Sequence, residues 1–323
     1  MKTISRDILN SNGTYKLLND VAFKKLLGSD ENKQVTKQLL EDIFGIKIQH
    51  ITLLNPYHID KMKEKKKLMY TQVDVLIELE NGKKVSIELQ NQRKEFFQQR
   101  SLYYLSKAYM RSYNDPQYQE YFDDKEDFRY SSLKGAIGLN FLNYTQFKDD
   151  KLPLHLYSLK EEQTQKAFVE ENHFALYFIE LNKHHYASGK LKEWMILLKN
   201  GENISKRPEF LENVYKPVRK LRMSLEEELE AEEREKDWQD YLATKLYFEN
   251  GLKRKDKEVQ EAKKAQEIAE NNLKQGIEQG IEQGINENQI QMLKVLKEKG
   301  FKKSEIESIY PELSQIIAKI FSE

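Results

Sequence analysis

The sequence predicts an α/β domain followed by a charged helical region, and three observations carry that prediction. Residues 70–90, YTQVDVLIELENGKKVSIELQ, alternate apolar and polar positions with the period of two that marks strands. Stretches with helical spacing stand before and after this hairpin. From about Ser224 the composition shifts to strong helix formers with dense mixed charge.

With 323 residues the chain has room for one large domain or two ordinary ones. It carries 53 basic and 53 acidic residues, so contact with nucleic acid would rest on local basic patches rather than on a global field. The absence of cysteine excludes disulfides and cysteine-based zinc sites and suits a reducing cytosol. MKTISRDILN has no apolar signal core, and no run approaches the ~18 apolar residues of a membrane span. The expectation is a soluble, cytoplasmic protein.

In chain order, Asn19 or Asp20 can cap a helix carrying Ala22, Phe23, Leu26 and Leu27, which Gly28 and Ser29 end. A second helix from about Glu31 places Val35, Leu39 and Ile43 on one stripe and stops at Gly45. Ile46 to Leu54 reads as a strand closed by Asn55-Pro56. The basic run Lys61–Lys67 reads either as a solvated loop or as a phosphate contact.

Within the hairpin, placing both apolar sets on one face fixes the register: Ile77 opposite Val85, Val75 opposite Ile87 and Val73 opposite Leu89. The loop is then Glu80-Asn81-Gly82, with Gly82 free to adopt a left-handed backbone. On the other face Asp74 lies across from Glu88 and Gln72 across from Gln90. Directly opposed like charges destabilise a sheet. A shared divalent cation would remove the repulsion; two acids on a solvated face would merely tolerate it.

A long helix from about Arg93 to Tyr113 follows, bringing Arg93, Lys94 and Arg100 to the motif side, and Asn114–Tyr130 reads as a loop. Strands are expected at Leu133–Tyr144, Leu154–Tyr157 and His173–Leu181, and a helix at Ser188–Leu198. This closes a first domain, residues 1–205. A charged helical region spans 206–275 and a glycine-spaced repeat 276–287, in which Gly276, Gly280 and Gly284 serve either close association or a linker. The remainder, 288–323, reads as two short helices split at Gly300, with apolar stripes from Met292 to Ile320 that want a partner surface. Homo-oligomerisation through this C-terminal region is the expectation. Other chemistries find no support: the six histidines include no pair at helical metal spacing, and no phosphate loop or nucleophile elbow is present.

Asp74 followed by Glu88-Leu89-Gln90 resembles the active-site signature of the PD-(D/E)XK nucleases, and more closely that of the recombination-promoting nucleases, or PD-(D/E)XK family putative transposases. Those proteins carry glutamine where most of the superfamily carries lysine. Asn19-Asp20-Val21-Ala22-Phe23-Lys24, Arg100-Ser101-Leu102-Tyr103-Tyr104, Ile179-Glu180-Leu181 and the glycine tract extend the likeness. It implies a restriction-endonuclease-like αβββαβ core with a mixed central sheet flanked by helices, and a DNA endonuclease using Mg²⁺ or Mn²⁺. Asp74, Glu88 and the Leu89 carbonyl would hold the metal, Gln90 would orient water or phosphate, and Arg93, Lys94 and Arg100 would meet DNA. Asp20 is an additional acid near the metal on this likeness, and a helix cap or partner of Lys24 on the local reading. Lysine at position 90 is expected to preserve or raise activity. The rival expectation is a catalytically inactive DNA-binding or assembly protein on the same fold.

Overall fold

The computed structural model describes residues 6–54, 73–113, 117 and 129–322. They fall into two compact units, Met1–Asp240 and Tyr241–Glu323. The run Lys61–Lys67, Gln72 and most of the 114–130 loop lie outside the described residues.

In the first unit six strands form one mixed sheet: β1 (Ile51–Leu53), β2 (Val75–Leu79), β3 (Lys84–Gln90), β4 (Ala136–Leu142), β5 (Leu154–Ser158) and β6 (Phe174–Glu180). Their order is β1-β2-β3-β4-β6-β5. β1, β2 and β3 run antiparallel, β3, β4 and β6 are mutually parallel, and β5 returns antiparallel on β6. The hairpin takes the register that its apolar sets require, Ile77 on Val85 and Val75 on Ile87. Gly82, at φ 80°, closes the loop by donating its N–H to the Leu79 carbonyl at 2.9 Å. β2 starts at Val75, two residues later than the alternation suggests, and the strand expected over 46–54 narrows to β1.

Helices cover both faces. Val75, Ile77, Val85 and Ile87 join the main core with α1 (Asp20–Gly28) and α2 (Lys33–Phe44). On the opposite face Leu76 meets Leu105 and Ala108 of α3 (Phe97–Met110), while Phe97 packs with Leu142 and Phe178. Every residue of β3 is buried, so the acid-bearing face is not the solvated one that a lone hairpin would have. The reason is topological: a strand between an antiparallel and a parallel neighbour sits in mid-sheet and is covered on both sides.

Local signals explain the helix ends. Asn19, not Asp20, caps α1, its side chain accepting from the Val21 N–H at 3.1 Å. Gly45, at φ 70°, ends α2. α3 begins at Phe97, so Arg93 and Lys94 precede it in a connecting segment instead of entering the helix. That segment ends at Phe96, exposed and held at φ 55°.

The compact unit also continues past the boundary near 205 that the helix stop at Asn200-Gly201 suggests. Trp194 of α4 (Gly189–Asn200) packs edge-on against Phe210, and Phe210, Val214, Val218, Leu221 and Ala231 belong to the main core. Ala231 lies in α5 (Leu225–Glu298), whose first turns are part of this unit. A buried polar knot ties these elements: the Trp194 Nε1–H donates to Asp42 Oδ2 at 3.0 Å, and Arg207 grips both Asp42 oxygens at 3.2 and 2.7 Å.

The second unit comprises the rest of α5, then α6 (Lys303–Ile309) and α7 (Ser314–Ser322). Leu293, Ile306, Leu313, Ile317 and Ile320 bury one another. The stripes expected to want an outside surface therefore find much of their cover within the tail, because Gly300, at φ 87°, turns the chain back after α5. Gly276, Gly280 and Gly284 all lie inside α5, with open space where their side chains would be. No helix among the described residues is long and apolar enough to cross a membrane.

Candidate active site

The site lies where β3 ends under α3. Glu88 and Gln90 alternate onto the face that α3 covers, and Asp74, just before β2, reaches across to the same strand. Asp74 Oδ2 accepts the Leu89 backbone N–H at 3.0 Å. Its other oxygen meets the Lys24 ammonium at 3.1 Å, and Lys24 also reaches Asp20 Oδ2 at 3.3 Å. Burial opposes charge on Lys24, but Asp74 and Asp20 overcome it and push the ammonium pKa up.

Glu88 feels the opposite balance. Burial first, and then the negative charge of Asp74, push its pKa up to about 8, against weaker help from Arg100, Gln90 and Lys24. The Gln90 amide donates to Glu88 Oε2 at 2.9 Å and accepts from Arg100 Nη2 at 2.7 Å. The Arg100 guanidinium lies 6.0 Å from the Phe97 ring centre and 5.9 Å from that of Tyr104. Glu88 Oε1, Asp20 Oδ1 and Arg100 Nε are buried and have no hydrogen-bond partner among the described residues.

These groups line a cavity of about 630 Å³, the size of a small-ligand site. Asp20, Asp74, Glu88, Leu89, Gln90, Lys94 and Arg100 all contribute to its wall. Lys94 loses some of its usual basicity there, through desolvation and then the nearby Arg100 charge. Arg93 does not line the cavity and is exposed. Of the eight candidate residues read from sequence, the fold thus brings seven together.

Sequence reasoning missed the wall supplied by the start of α5. Arg234, Asp237 and Trp238 line the cavity, Arg234 Nε stands 3.9 Å from Asp20 Oδ1, and Glu235 holds Lys16 at 3.0 Å. A dense mixed-charge helix gives little signal of this, save for Trp238 among its charges. Lys24 was legible only as a helical partner of Asp20, whereas it also bridges to Asp74.

Among the described residues no three His, Asp or Glu side chains converge as a complete metal cage. A Mg²⁺ ion does not require one, since it usually takes one or two carboxylates plus waters and substrate oxygens. The unpartnered Glu88 oxygen beside Asp74 is a donor set of that kind. The residues fit such an ion.

No curated protein matches the chain, and neither does any solved structure. A family model described as PD-(D/E)XK nuclease family transposase matches residues 17–250, which include every strand, the whole cavity wall from Lys16's neighbour onward and the start of α5. With its mixed sheet between helices and more than half of its length matched, the chain belongs to the PD-(D/E)XK nuclease family transposases.

Proposed function

We propose that this chain is a metal-dependent DNA endonuclease that hydrolyses phosphodiester bonds in recombination or transposase-like cleavage. The observation that carries the reading is Glu88, a buried carboxylate with one oxygen unpartnered beside a second acid, in a cavity that also holds Lys94 and Arg100. Asp74, Glu88 and the Leu89 carbonyl would hold Mg²⁺ or Mn²⁺, which supplies a Lewis acid for the phosphoryl oxygens and lowers the pKa of a bound water. Lys94 and Arg100 draw the scissile phosphate in, and Arg93 meets the DNA backbone at the rim. The Leu89 N–H and Lys24 fix the Asp74 carboxylate, while Gln90 fixes that of Glu88. Asp20 sets the position of Lys24.

The working protein is proposed to be cytoplasmic and self-associating through its C-terminal helical region. A second reading, a catalytically inactive DNA-binding or assembly protein, draws on the Lys24 ammonium already paired with Asp74. Nicking of supercoiled plasmid with Mg²⁺ separates the two. Asp74→Ala and Glu88→Ala should each lower cleavage by at least about a hundredfold without loss of folding, because the site loses a ligand. Mg²⁺ should raise the melting temperature of the wild type and do so much less in either variant. Full cleavage by both variants would place the chemistry elsewhere.

A further inference from the structure

We infer that Arg100, and not residue 90, supplies the positive charge that lysine gives most of the superfamily, and that Gln90 is the neutral link coupling Arg100 to Glu88. The inference rests on the nuclease reading above and assigns the cation that works at that site.

Gln90 stands between two charged groups. Its amide nitrogen donates to Glu88 Oε2 at 2.9 Å and its oxygen accepts from Arg100 Nη2 at 2.7 Å, so each end of the amide already holds one of the two charged groups. Glu88 needs a donor at that point and Arg100 needs an acceptor. An amide offers both at one end of the side chain, whereas an ammonium offers donors alone and a carboxylate acceptors alone. Lysine at position 90 would therefore bring a second cation against the guanidinium inside a buried site, where like charges repel strongly. This is the reverse of the expectation from the motif taken alone.

Arg100 itself has the properties that a phosphate-binding group needs. It lines the cavity beside Asp74 and Glu88. It lies 6.0 Å from the Phe97 ring centre and 5.9 Å from that of Tyr104, contacts that use none of its N–H donors. Its Nε is buried without a partner, and among the described residues its side chain makes one hydrogen bond, to Gln90. A guanidinium with donors to spare matches the oxygens of a phosphate in a fork, which an ammonium does not.

The test exchanges the two residues. Wild type, Gln90→Lys, Arg100→Gln and the double variant Gln90→Lys/Arg100→Gln are compared in plasmid cleavage with Mg²⁺ and in thermal unfolding in EDTA. Each single change should lower cleavage by roughly a hundredfold, the usual cost of losing one aligned charge-stabilising donor. Gln90→Lys should also lower the melting temperature. The double variant should recover at least about tenfold in cleavage over either single and regain the melting temperature, since amide and cation have only traded places. Unimpaired cleavage by Gln90→Lys would overturn the inference, and so would a double variant no better than the singles. A wild type that cleaves nothing overturns the nuclease reading and with it the phosphate role of Arg100. The coupling of Gln90 to Arg100 would still be decided by the four melting temperatures.

Discussion

Glu88 shows how far a residue's surroundings can move it from its ordinary behaviour. Its folded pKa, raised to about 8 by burial and by Asp74, stands well above the usual 4.5. Below about pH 4.5 both folded and unfolded chains hold this proton. Between there and pH 8 the unfolded chain releases it while the folded chain keeps it, so this contribution to stability declines as pH rises and is gone above the folded pKa. Thermal unfolding in EDTA at pH 5, 6.5 and 8 should show the wild type weakening across that window, and Glu88→Gln should flatten the decline. Parallel curves for the two proteins would refute it. The placement of Asp74 toward Glu88 was legible in the sequence because a two-residue period leaves one register for the hairpin, whereas the choice of Asp74, Glu88 and Gln90 as candidate site residues came from the family resemblance. That Glu88 is buried was not legible, because its cover comes from α3 and β4, distant in sequence. Arg93 and Lys94 were placed in a helix that begins only at Phe97, since charged residues before a helix carry the same local propensities as its first turn.

At the scale of elements, the knot around Asp42 joins α2, α4 and the segment after Arg207. Desolvation alone would raise the Asp42 pKa, but hydrogen bonds from Arg207, Trp194 and Lys190 outweigh it and hold the carboxyl below its usual range. Its stabilising contribution is therefore present above the ordinary carboxylate pKa and is lost as pH falls through the lowered one. Arg207→Leu leaves Asp42 buried and short of its main partner. It should cost about 3 kcal/mol in urea unfolding at neutral pH. The residue also explains why a boundary near 205 looked natural and was not observed. Asn200-Gly201 stops a helix, yet Arg207 and Phe210 return the chain to Asp42 and Trp194, and a contact spanning 165 residues leaves no local trace.

For the whole molecule, the tail has two kinds of apolar surface. Leu293, Ile306, Ile317 and Ile320 are covered by one another, while Phe248, Leu252, Val259, Ile268, Leu273 and Ile277 stand exposed along α5. Exposed apolar side chains on a long charged helix favour self-association. Removing residues 270–323 should lower the oligomer mass measured by light scattering, and an unchanged mass would sink the idea that this segment drives association. The glycine spacing was legible as a pattern but not as part of one continuous helix, since each glycine disfavours helix by about 1 kcal/mol. That same penalty gives α5 a built-in weak point. With no neighbour among the described residues within 4 Å of the side-chain position of Gly276, Gly280 or Gly284, packing does not offset the loss. Deuterium should enter the amides of 276–284 ahead of those in 255–270, and a protease cutting opened helix should nick there first. Alanine at all three positions should even out the exchange along α5.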